Sequence, residues 1–227
     1  MKILAIHSQE DSLLQDLSAD WLQIVTSSAI APYELKTLLG SMASRRWNPA
    51  FATVVTSADV VVICGLAHGS PGAFTGFQGE ILYSADPSAP IPADEVRGKI
   101  VHLLSCSTAQ QLAQAFLAAG CVAYIGYDDA VPIKQSTPEW LMTFLRCDAT
   151  VEISLAKRRS ASAAVKDAKA QFQLNGLGDI AALLVCNPAD SSAVLTQTNS
   201  SEFSGLATNQ IVSRPLPPPN TLPIATF

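Results

Sequence analysis

Asp59-Val60-Val61-Val62-Ile63-Cys64-Gly65-Leu66-Ala67-His68-Gly69 is the stretch on which the reading of the fold turns. Its middle is continuously apolar, and it ends in a histidine and a glycine. Two later stretches have the same form. Ile100-Val101-His102-Leu103-Leu104-Ser105 runs into Cys106, and Val122-Ala123-Tyr124-Ile125-Gly126 runs into Tyr127-Asp128-Asp129. Short apolar runs without alternation, closed by turn residues, read as strands buried on both faces, which is the habit of parallel sheets. Ligands of open parallel sheets sit outside the carboxyl ends of the strands. If the first two runs are neighbours, His68 and Cys106 emerge side by side at that edge. A thiol beside an imidazole there is a nucleophile beside its proton-transfer partner.

Outward from this centre, Lys2 to His7 reads as a first strand, and Ser8-Gln9-Glu10-Asp11 as the loop at its carboxyl end. Leu13, Leu14, Leu17, Trp21, Leu22 and Val25 then recur at helical spacing. Tyr33 to Leu39 reads as a short strand, and residues 41–57 as a helix that Pro49 breaks or starts. Gly69-Ser70-Pro71-Gly72 is a turn, and Gly76 to Tyr83 a small hairpin. After Cys106, Leu112, Ala115, Phe116 and Ala119 share one helical face and Gly120 closes it. With Ser107 or Thr108 as its cap, that helix would begin beside Cys106, and its partial positive charge would favour the thiolate.

Thr137-Pro138-Glu139 is a helix start, and one long helix is expected over residues 151–173. Lys157-Arg158-Arg159 would be a solvated face of that helix. Gly176 and Gly178 would stop it, and Ile180 to Cys186 reads as a last strand. From Ser191 the chain turns to Ser, Thr, Asn and Gln and ends in a proline-rich run. Residues 1–190 are therefore expected to form one domain, and residues 191–227 an extended tail.

The 227 residues carry a formal net charge of −5 and a sequence pI near 5.1, which argues against a nucleic-acid partner. No apolar run approaches the roughly 18 residues that span a bilayer, and the N-terminus does not read as a signal peptide. A cytoplasmic protein without a membrane partner is the expectation. The five cysteines include no CxxC pair, which fits a reducing compartment without a disulfide framework. His7, His68 and His102 show no ligand-like spacing with them, so neither a metal nor another cofactor is expected.

His102, inside its run, reads as a core histidine, whereas His7 ends the first strand and could approach the same edge. Glu10, Asp11, Asp128 and Asp129 are loop acids at that edge. They are either solvated acids or a pocket favouring a basic side chain.

Three segments together carry a family likeness: Ala67-His68-Gly69; Leu103-Leu104-Ser105-Cys106-Ser107-Thr108; and Leu112 to Gly120. Their order and separation resemble the CHAT branch of caspase-like cysteine peptidases, clan CD. Tyr124 to Pro132 looks like the segment that follows in that family, and Ser160 to Gln173 is similar to its late Ala-rich helix. The likeness covers about residues 55 to 187. Many CHAT proteins carry a helical-repeat region ahead of the peptidase domain, and none is expected within these 227 residues; the nucleophile lacks the local caspase signature.

The resemblance implies an α/β, three-layer caspase-like sandwich with a mostly parallel central sheet. It implies that Cys106 attacks a peptide carbonyl, that His68 shuttles the proton, and that the amides of Gly69 and Cys106 form the oxyanion hole. It further implies a protein substrate drawn from one or a few partners, an activating or recruiting protein partner, and a role in bacterial stress or defence signalling. The rival from another class is a catalytically silent caspase-fold module that holds a protein partner. A flavodoxin-like small-molecule binder would need a phosphate loop, and the glycines from Gly65 to Gly79 open no evident helix.

Overall fold

A computed structural model describes residues 2–28, 33–133 and 137–188. The first strand, β1 (Lys2–His7), is followed by α1 (Ser12–Ser27) and β2 (Glu34–Leu39). A short helix α2 (Phe51–Val55) precedes β3 (Val60–Leu66), and β4 (Gly69–Ser70), β5 (Ala73–Thr75) and β6 (Ile81–Ser84) come next. Then follow α3 (Ala93–Val96), β7 (Ile100–Leu104), α4 (Leu112–Ala118) and β8 (Ala123–Tyr127). The C-terminal part holds α5 (Pro138–Asp148), α6 (Thr150–Ala156), α7 (Ala161–Leu174), α8 (Gly178–Leu183) and β9 (Leu184–Pro188).

Six strands form a mostly parallel mixed sheet in the order β2-β1-β3-β7-β8-β9, with only β9 running antiparallel to its neighbour. Helices flank it on both faces. Alternate residues of each strand divide between two cores, as the pleat requires. Ile3, Ala5, Val62, Cys64, Ile100 and Ile125 meet residues of α1, α5, α6, α7 and α8. Leu4, Ile6, Ile63, Val101, Leu103 and Tyr124 meet α2, α3, α4 and a small antiparallel sheet, β4-β5-β6. In α1 the buried positions Leu14, Leu17, Ser18, Trp21 and Val25 form the stripe that the periodicity predicts.

Four local expectations are corrected. The helix after Cys106 begins only at Leu112, and neither Ser107 nor Thr108 caps it. The N–H groups of Ser107 and Ala109 instead reach the carbonyls of Asp129 and Tyr127, so tertiary hydrogen bonds displace the first helical turn. The long late helix is two helices, broken at Arg158 (φ 60) and restarted where the Ser160 side chain accepts the Ala163 N–H. Lys157-Arg158-Arg159 is therefore a connection between helices rather than a helical face. Ile180 to Leu183 belongs to α8, because the strand starts only at Leu184. The helix expected over 41–57 is reduced to α2, with a single 3-10 turn at Gly40–Met42. The tail, residues 191–227, lies outside the described residues.

Candidate active site

The chain order places a topological switch between β1 and β3. From β1 the chain moves outward to β2, and from β3 it moves the opposite way to β7. Sheets of this kind open a crevice at such a point, outside the carboxyl ends of the strands. Glu10 and Asp11 follow β1, and His68 follows β3, so all three stand at this crevice.

Cys106 reaches the same edge through register. β3 and β7 are parallel neighbours, with Leu66 opposite Leu104. His68 and Cys106 each lie two residues beyond these paired positions. Gly69 supplies a second tie between the two strand ends. A Cβ built on it would come 2.1 Å from Ser105 Oγ, 2.7 Å from Thr108 Cγ2 and 3.1 Å from the Cys106 carbonyl. Only a residue without a side chain allows the backbone beyond His68 to lie this close to the 105–108 segment.

The loop bearing the thiol is held on several sides. Ser107 adopts a left-handed conformation (φ 58) and turns the chain directly after Cys106. The Pro71 carbonyl accepts the N–H groups of Gln111 and Leu112, and Gln110 Nε2 donates to the Asp128 carbonyl at 2.6 Å. Cys106 itself is partly buried and packs against the core beneath α1 and α5, whereas Cys64, Cys121 and Cys147 are fully enclosed. Burial pushes the thiols of Cys121 and Cys147 up to about 12. Cys186, the other partly buried thiol, sits within β9 opposite Ile125, so among the described residues Cys106 is the thiol at this edge.

His68 is half exposed, and its Nε2 lies 3.0 Å from Asp11 Oδ2 and 3.5 Å from Glu10 Oε1. Both carboxylates have a second engagement. Asp11 Oδ1 accepts the Leu14 N–H at 2.8 Å and caps α1, while Glu10 Oε2 accepts the Gly79 N–H at 2.7 Å. The Leu14 amide first, and His68 after it, hold the Asp11 carboxyl below its ordinary value. Glu10 and Asp11 therefore face the imidazole. Asp128 and Asp129 lie on the opposite flank, exposed, with their carbonyls bracing the loop after Cys106.

His7 does not reach the crevice. It is buried, its Nδ1 is 2.8 Å from Ser18 Oγ, and its ring packs edge-on to Trp21 at 5.0 Å. Burial pushes its pKa down to about 3, against a smaller opposing pull from Asp148.

One cluster escaped the sequence reading. His102, on β7, lies wholly buried between Glu152 of α6, which meets its Nδ1, and Asp148 of α5, whose Oδ1 is 3.4 Å from its Nε2. The Tyr127 hydroxyl donates to Asp148 at 2.6 Å. Burial alone would lower the His102 pKa, but the two carboxylates hold it up at about 10. The available signal was weak: Asp148 and Glu152 are acids on the apolar faces of two helices.

No protein-family profile matches the chain, and no curated protein matches it.

Proposed function

We propose that the chain is a caspase-like cysteine endopeptidase that cuts one or a few partner proteins. The observation that carries this reading is the β3–β7 register, which brings His68 and Cys106 to equivalent places beyond adjacent parallel strands. Two further features support it: the close approach of Gly69 to the Cys106 carbonyl, and the paired acids behind the imidazole.

In this reading His68 donates its Nε2–H to Asp11 and keeps the Nδ1 lone pair for the thiol. The Cys106 proton passes to that nitrogen as Sγ attacks the scissile carbonyl carbon. The oxyanion that forms is met by the amides of Gly69 and Cys106; in better-studied acyl-transfer sites each such donor is worth about 2.7–4 kcal/mol. Collapse breaks the C–N bond, and the imidazolium returns its proton to the leaving amine. Water, deprotonated by His68, then attacks the thioester and releases the acid and the Cys106 thiol. Recruitment by a protein partner and a role in bacterial stress or defence signalling belong to the same proposal, and they rest on the family resemblance.

One observation favours the rival module that binds a partner without cutting. Because α4 starts at Leu112, its N-terminus does not begin beside Cys106 to favour the thiolate. Covalent labelling by a peptidyl electrophile separates the two readings. The peptidase predicts labelling at Cys106 that is lost in His68→Ala. An inert Cys106 across neutral and mildly alkaline pH, in a protein of native fold, would leave only the module.

A further inference from the structure

The His102–Asp148–Glu152 cluster lies on the far side of β3 and β7 from α4 and has no part in the chemistry above. All three side chains are at most 2 % exposed. One ligand atom from each lies within 4.8 Å of the other two. Cys64, His7 and Trp21 surround the same place, and Cys64 is the direct register partner of His102 on the neighbouring strand.

The hydrogen bonding of this cluster is incomplete. Glu152 Oε1 meets His102 Nδ1, and Tyr127 donates to Asp148 Oδ1, but His102 Nε2, Asp148 Oδ2 and Glu152 Oε2 have no hydrogen-bond partner. The 3.4 Å contact from Asp148 to Nε2 counts as an ion pair only. Buried polar atoms are ordinarily satisfied, and buried carboxylates are paired or coordinate a metal. Three unsatisfied atoms, two of them carboxylate oxygens, thus belong to side chains whose ligand atoms come together from three elements.

We propose that His102, Asp148 and Glu152 form a structural site for a divalent cation of the zinc class. One imidazole nitrogen and two carboxylates are a donor set that suits such an ion, at bond lengths of about 2.0–2.2 Å. The ion's double positive charge matches the two carboxylates and takes the place of the His102 proton, which is released on binding. It fastens α5 and α6 to the centre of the sheet, with the fourth position taken by the second oxygen of one carboxylate or by a single water. The site stands apart from Cys106, and the proposal does not depend on peptidase activity.

The test uses the full chain carrying Cys106→Ala, which removes a partly buried thiol as a competing zinc ligand. Protein is unfolded with a chelator, refolded with or without Zn²⁺, dialysed, and assayed for bound metal and thermal stability. The site predicts about one equivalent of retained zinc. It also predicts a melting temperature at least about 5 °C above that of the metal-free protein, and no such gain with Mg²⁺. Glu152→Gln and His102→Gln should lose both the metal and the gain. Should those variants fail to fold, refolding the Cys106→Ala chain with Co²⁺ gives an independent reading: visible d–d bands support a protein-bound site. Zinc below about 0.1 equivalent with unchanged melting overturns the proposal, as does zinc equally retained by folded His102→Gln.

Discussion

Asp11 holds the amide of Leu14 with one carboxylate oxygen and faces His68 Nε2 at 3.0 Å with the other. A single side chain thereby ties the start of α1 to the imidazole at the end of β3. The helix cap fixes the carboxylate, and the fixed carboxylate orients the ring.

This double role separates under mutation. Asparagine caps helices about as well as aspartate, so Asp11→Asn should change stability by less than about 0.5 kcal/mol, whereas Asp11→Ala should cost about 1 kcal/mol. Both variants lose the nearer of the two charges behind His68. Because this pair is largely exposed, the electrophile-labelling rate at Cys106 should fall modestly, about 3- to 10-fold. Denaturant melts and labelling kinetics measured side by side check the split; equal stability for the two variants would refute the cap.

Gly69→Ala should damage the crevice more than the fold. The Ser105 hydroxyl can rotate away, but Thr108 Cγ2 at 2.7 Å and the Cys106 carbonyl at 3.1 Å still meet the new methyl. Overpacking of this kind costs about 1–3 kcal/mol. Displacement of the 105–108 segment should slow labelling at least about 10-fold, since small misplacements of reacting groups are expensive. Wild-type labelling in a folded Gly69→Ala variant would show that the close approach is irrelevant to the site.

Arg45 and Glu95 form a part-buried ion pair on the other face of the sheet. The guanidinium donates to both Glu95 oxygens, at 2.6 and 2.7 Å, and lies over Phe51 and Tyr83. The Glu95 side chain is 3 % exposed and that of Arg45 31 %. Arg45→Ala leaves a carboxylate buried without its partner, and a loss of about 3 kcal/mol is expected. Arg45→Lys should recover only part of this, since an ammonium cannot match the two-point geometry. Urea unfolding measures both.

Acid should weaken the fold through His7. Its pKa falls from 6.5 to about 3 on burial, so the unfolded chain binds the proton more readily throughout that interval. Stability therefore rises with pH between about 3 and 6.5, and is lost on acidification through the same window. His7→Gln should flatten this slope in unfolding free energies measured from pH 4 to 7. An unchanged slope would show that His7 is already neutral, or equally protonated, in both states.

The amino-acid sequence alone determined most of the scaffold. Lys2–His7, Val60–Leu66, Ile100–Leu104 and Ala123–Tyr127 announce themselves because strands buried on both faces are apolar at nearly every position. The stripe of α1 and the Thr137 cap of α5 are equally local signals. They also made His68 and Cys106 visible as strand-end residues. Tertiary structure decided the rest, because it turns on partners distant along the chain. Carbonyls of the Tyr127–Asp129 segment draw residues 107–109 out of the helix that their spacing suggests. Asp11 and Glu10 meet His68 only because β1 and β3 are neighbours, and Asp148 and Glu152 meet His102 only because α5 and α6 pack on β7. A helix declares its apolar face by period, but the partner of a polar residue on that face depends on which strand lies beneath it.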